Sequence, residues 1–130
     1  MKLEVTIDSN NFSNLSEFYD EIESKLTKGL TWKIGRNLNA FNDVLHGGFG
    51  VHDYDEEFTL IWKHSKQSIE DLGYTETLLL LNNVLLNCHP SNSQRVKDEI
   101  SLCESGNGPT LYETILEIIK DHNHVTLILD

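Results

Sequence analysis

Apolar residues along the chain follow two different periods. Between Leu3 and Ile7 every second residue is apolar, with Glu4 and Thr6 between them, which predicts a strand with one buried face. Leu15, Phe18, Tyr19, Ile22 and Leu26 then fall at helical spacing and end near Lys28-Gly29. The preceding Asn14-Leu15-Ser16-Glu17 has capping-box spacing, with Asn in place of Ser or Thr. A second, shorter helix is predicted from Asn37, with Leu38, Phe41, Val44 and Leu45 on its core face, and it stops at Gly47-Gly48. The same spacing turns Asn39, Asn42, Asp43 and His46 outward.

Residues 49–57 read as an acidic loop, with Asp53, Asp55, Glu56 and Glu57 close together. Phe58 to Trp62 is nearly all apolar or β-branched, the pattern of a strand covered on both faces. Helical patterns follow over 64–72, up to Gly73, and over Thr75 to Cys88, where leucines and Val84 surround much of the circumference. Pro90 ends that run, a more polar helix spans about Ser91 to Glu104, and Ser105-Gly106-Asn107-Gly108-Pro109 is a turn cluster. Thr110-Leu111-Tyr112-Glu113 is a second capping box, opening a helix through Leu116, Ile119 and Lys120. His124 to Leu129 closes the pattern as a strand. Long helical connections between the three strands require crossovers, so the expected fold is α/β: a small parallel three-stranded sheet packed with helices. The whole of 1–130 is read as one domain.

Charge narrows the function. Ten basic residues against twenty-one acidic ones give a net charge of −11, which argues against a nucleic-acid binder. The hydrophobic fraction of 38% is enough to build a core. No apolar run approaches ~18 residues, so no membrane span is expected. The alternating start lacks a signal peptide's apolar centre, and two cysteines, Cys88 and Cys103, fit a reducing, cytoplasmic setting.

Chemistry-bearing motifs are sparse. Gly47-Gly48-Phe49-Gly50 follows a helix and leads into four carboxylates, so it reads as a helix stop and turn, lacking the strand–loop–helix setting of a phosphate cradle. His122-Asn123-His124, beside Asp121, offers two imidazoles without further Cys or His at metal-site spacing. Cys88-His89 lies at a helix end and reads as a packed thiol. No nucleophile motif occurs, so neither an enzyme nor a cofactor is expected. A small hydrolase using carboxylates, or His122 and His124, has residue counts alone behind it. The polar face of the second helix, with Trp32 just upstream, suits a protein-binding surface, although a merely solvated face is the reading these residues alone favour.

Gly35-Arg36-Asn37-Leu38-Asn39-Ala40-Phe41-Asn42-Asp43-Val44-Leu45-His46-Gly47 resembles the barstar family's loop and inhibitory helix. The first strand and helix, Phe58 to Trp62, Glu117-Ile118-Ile119 and the last strand resemble that family's corresponding elements. The resemblance covers about 1–72 and 110–130, and leaves about 73–109 as a helical insertion. It implies an intracellular inhibitor, immunity protein or antitoxin that blocks a basic ribonuclease or ribonuclease toxin domain, its carboxylates standing where RNA phosphates bind. Asp43 matches the family's principal acidic contact and Glu117 a second one. Asn39 stands where the family has an aspartate, Asn42 where it has a tryptophan, and Trp32 or Lys33 near its loop tyrosine. Lys33 and Arg36 add positive charge nearby, so the expected target is a ribonuclease or toxin with its own complementary cleft. The partner-binding set is therefore Asp43, Asn39, Asn42, Glu117, Trp32 and His46, on a protein expected to be monomeric. The competing reading is a non-inhibitory interaction or regulatory module, dimeric through the inserted helices.

Overall fold

The computed structural model describes residues 3–27, 35, 37–47 and 53–130. Trp32, Lys33, Arg36 and the glycines at 48 and 50 lie outside them. Three strands, β1 (Leu3–Asp8), β2 (Phe58–Lys63) and β3 (Val125–Leu129), form a parallel sheet in the order β1-β2-β3. α1 (Leu15–Leu26) and α2 (Leu38–His46) fill the first crossover; α3 (Ser65–Asp71), α4 (Tyr74–Asn87), α5 (Ser93–Glu104) and α6 (Leu111–Lys120) fill the second. The α/β architecture read from the periodicity is the one found.

Register explains the core. Leu3, Phe58 and Val125 align across the sheet, as do Val5, Leu60 and Leu127, and Ile7, Trp62 and Leu129. Most of these residues belong to one apolar cluster with Phe18, Ile22, Phe41, Leu45, Ile115 and Ile119 from the helices. The intervening rows, Glu4–Thr59–Thr126 and Thr6–Ile61–Ile128, form the other face. Here the strand pattern misleads, because Thr59 and Ile61 are only half-buried and Ile128 is 46% exposed. β2 is thus fully packed on one face, and its unbroken apolar run reflects the β-branched residues that suit a central strand. Inside the core the Trp62 indole donates from Nε1 to Ser9 Oγ at 2.8 Å, and the Ser9 and Ser68 hydroxyls lie 2.6 Å apart. That network satisfies the polar edge of a fully buried ring.

Helix starts follow their caps. Asn14 Oδ1 accepts from the Glu17 N–H at 2.8 Å, but Glu17 reaches back to the Ser13 N–H and hydroxyl, both 2.9 Å away. The expected box is therefore displaced by one residue. Thr110 and Glu113 close a complete, reciprocal box at α6. Between α3 and α4 the chain turns at Gly73, where an added Cβ would stand 3.0 Å from the carbonyl oxygens of Ile69 and Glu70. A side chain there would push the two helices apart.

α4 departs from its apolar pattern. Thr77 is its buried residue, whereas Leu79 and Leu86 are 61% and 84% exposed. Its attachment to the core is partly polar: Thr77 Oγ1 donates to the Gly73 carbonyl at 2.7 Å and accepts from the Leu111 N–H at 2.8 Å. The adjacent Tyr112 N–H donates to the Leu72 carbonyl at 2.9 Å. One hydroxyl thus joins the start of α4 to the start of α6. Thr77→Val keeps the shape but leaves the buried Leu111 N–H without its acceptor, and should cost about 1–3 kcal/mol. Urea unfolding should show a lower midpoint with an unchanged slope.

Candidate functional site

α2 begins because Asn37 caps it, its Oδ1 accepting from the Ala40 N–H at 2.7 Å. It ends at Gly47, whose φ of 84° lies in the left-handed region that glycine enters without strain. Phe41, Val44 and Leu45 are buried and fasten the helix to the core. Asn39 and Asp43, one turn apart, are exposed on the opposite side. Asp43 is thereby a solvent-facing carboxylate on a helix anchored from behind.

Asn42 and His46, also one turn apart, do not share that outlook. Both are half-buried and turned toward the connection between α6 and β3. His122 Nε2 donates to Asn42 Oδ1 at 2.8 Å, and His124 Nε2 donates to the Leu45 carbonyl at 2.7 Å. His46 Nδ1 donates to Asp55 Oδ1 at 2.9 Å, and the same oxygen lies 3.8 Å from His124 Nδ1. The His46 ring stacks on Tyr54 with centroids 5.6 Å apart and meets His122 edge-on at 4.4 Å. Asp55 is placed by a left-handed turn, φ 54°, and by its own N–H donating to the His46 carbonyl at 2.6 Å. Asp tolerates that conformation better than most residues.

The histidines and Asp55 form a site that the sequence reading missed. His122 and His124 stood out as a pair, but their partners are some eighty positions away in the chain, and no local spacing reports that closure. Burial, with help from the neighbouring His46 and His124, holds the His122 imidazole below its ordinary value of 6.5. The hydrogen bond from His46 holds the Asp55 carboxyl below the usual carboxylate range, so the loop acid stays ionised. Among the described residues no three His, Cys, Asp or Glu side chains converge to hold a metal ion.

Glu117 is exposed on α6, which packs beside α2 and leads directly into His122. Asn39 borders an open depression of about 310 Å³, with Leu38 of α2, Tyr19 of α1, and Leu80, Asn83 and Val84 of α4. α4 thus flanks the exposed face of α2 at its N-terminal end. Trp32 falls outside the described residues. Among the described residues no helix is long and apolar enough to cross a membrane.

A short capped helix, fixed by its apolar side to a small parallel α/β domain, thus displays an acid and an amide outward. Residues 3–89 match the sequence profile of the family described as Barstar (barnase inhibitor), and the chain belongs to the barstar family. That family consists of ribonuclease inhibitors and not enzymes. The matched span takes in α2 and Asp43 and stops before α5, so Glu117 and β3 lie beyond it. Comparison with curated proteins gives no match.

The His122 shift has a stability consequence. An imidazole with a depressed pKa in the folded state is stabilising above the unfolded value of 6.5, and that contribution is lost as pH falls. Unfolding free energy should therefore decline between pH 7.5 and 5.5, measured by urea denaturation. His122→Gln, which retains an amide donor for Asn42, should flatten the decline; an equally steep profile in the variant would refute the assignment.

Proposed function

We propose that this protein is a barstar-like inhibitor or immunity protein that binds a basic ribonuclease, or a ribonuclease toxin domain, and covers its active site with α2. The observation that carries the reading is Asp43, which stands exposed on a helix anchored by Phe41, Val44 and Leu45; the barstar resemblance implies that this acid is the principal contact. A preorganised carboxylate loses little entropy on docking, which favours affinity. The net charge of −11 supports the same reading, because an acidic surface speeds encounter with a cationic enzyme.

Glu117 supplies a second acid from α6, and Asn39 a neutral hydrogen-bonding group one turn before Asp43. Asn42 contributes indirectly, through its bond to His122, and His46 borders the contact at the C-terminal end of α2. Trp32 adds an aromatic from the preceding segment. The protein acts as a cytoplasmic monomer, and residues 73–109 form an inserted helical segment beside the contact surface.

A second reading keeps the fold and makes α4 the functional surface. The exposure of Leu79 and Leu86, with Leu102 of α5 51% exposed, favours it. Light scattering separates the two, because a strict monomer at high concentration removes a dimer formed through α4.

The direct test is affinity capture from lysate and culture medium of the source cells, with wild-type and Asp43→Ala baits. A basic ribonuclease should be retained by the wild type and inhibited in an RNA-cleavage assay. Asp43→Ala should weaken binding by ~2 kcal/mol or more, about thirtyfold, mainly through faster dissociation. Neutralising Asp53 or Glu56, both exposed, should instead slow association and reduce its salt dependence. Equal retention by both baits would move the interface away from α2.

A further inference from the structure

The connection between α6 and β3 grips α2 through two imidazoles, bonded to Asn42 and to the Leu45 carbonyl. α2 answers with a third, bonded to Asp55. The C-terminal half of this helix is therefore held by three titratable rings and one carboxylate. His46 also follows Asp43 by three positions, so the two are neighbours on the helix surface.

We propose that His46, His122 and His124 are positioning residues that form a proton-responsive clamp on α2: neutral, they hold the helix in place; protonated, they loosen it and oppose the attraction of Asp43 for a cationic partner. The loosening stands on the geometry alone, while the effect on a partner rests on the inhibitor reading above.

The charge balance gives the direction. With neutral imidazoles the cluster proper carries the single negative charge of Asp55. Full protonation sets three positive charges against it, with ring centroids 4.4, 5.4 and 6.1 Å apart. The charged groups acting on His122 are His46 from α2, Asp55 from the loop, and His124 and Asp121 from the connection to β3. β2 contributes the Phe58 ring, 6.1 Å from His124. Two carboxylates thus face three imidazoles, and repulsion among the cations is screened less in this half-buried setting than in open solvent. Both Nε2–H donors persist on protonation, so the repulsion is relieved by α2 moving away from the connection, which opens the bonds from His122 to Asn42 and from His124 to Leu45. A protonated His46, three positions from Asp43, also adds positive charge beside it and so repels a cationic partner. Histidine is the side chain suited to this behaviour, because its charge changes near neutrality.

Amide hydrogen exchange on the intact protein tests the clamp. Rates at pH 7.5 and 5.0, corrected for intrinsic exchange, are compared for the α2 amides of Phe41 and Gly47 and for sheet amides. Between those pH values, α2 protection relative to the sheet should fall about tenfold in the wild type. The fall should shrink severalfold in a His46→Gln/His124→Gln double variant, which removes the repulsion between rings and leaves only the burial of His122. No selective fall, or the same fall in the variant, overturns the proposal. Nitrogen-15 spectra of the imidazoles keep it testable if the variant does not fold. At pH 7.5 His122 and His124 should carry their proton on Nε2 and His46 on Nδ1, and α2 amide shifts should follow the imidazole titrations. Titration that leaves α2 unmoved overturns the clamp.

For the partner arm, the ribonuclease retained on the wild-type bait is bound to both proteins across the same range. Acid should weaken wild-type binding more than variant binding, because titration of the enzyme itself affects both alike. Equal weakening overturns the coupling while leaving the clamp to the exchange result. Capture of no ribonuclease removes the inhibitor reading and the coupling with it, and the exchange result still decides the clamp.

Discussion

The packing of one ring, Phe18, decides where the candidate binding helix lies. Phe18 is fully buried on α1 and meets Phe12 at 5.3 Å, Phe41 at 5.4 Å, and Tyr19 and Trp62 at 6.0 Å. Those partners come from the segment after β1, from α2, from α1 itself and from the central strand. Edge-on and tilted contacts of this kind set angles as well as distances, so the cluster defines an orientation for α2 as well as burying apolar area. Phe41 is the side chain through which α2 receives that orientation. Everything displayed on the helix, from Asn39 to Asp43, inherits its direction from this contact.

α2 divides its surface three ways. Phe41, Val44 and Leu45 face the core, Asn39 and Asp43 face solvent, and Asn42 and His46 face the histidines. A nine-residue helix has about two and a half turns, so each face holds only two or three side chains. A substitution that serves one face therefore leaves little room for compensation on the same helix. Where the barstar resemblance implies a tryptophan, this chain has Asn42, and the amide is used laterally to bind His122. The amide at this position is thus engaged within the fold, and it does not face solvent with Asn39 and Asp43.

Much of the architecture was legible because it is local. Alternation in Leu3 to Ile7, the caps Asn14, Asn37 and Thr110, and the stop at Gly47 are each settled within a few residues, and each is where the pattern puts it. Parallel strands followed from the length of the connections. What the pattern could not show depended on partners distant in sequence. Whether Leu79 and Leu86 are covered or exposed stayed open in the pattern, because periodicity reports apolarity and not whether another element covers it. Asn42 and His46 read as outward because a helical wheel has no knowledge of His122 and His124. The outward position of Asp43 was correct for a local reason, since its own neighbours Phe41, Val44 and Leu45 claim the opposite side.

The order β1-β2-β3, all parallel, makes every strand pairing a long-range one, and parallel pairings of that kind form slowly. α2 belongs to the first crossover, yet two of the bonds that hold it come from residues 80 and 79 positions later, beside the last strand in chain order. During synthesis or refolding, the helix can exist before its site does. A chain that has paired β1 with β2 but not yet added β3 carries Asp43 on a helix without its lateral supports. The lateral support of α2 is therefore a property of the completed sheet, and a chain arrested short of β3 displays Asp43 on a helix held by its core face alone.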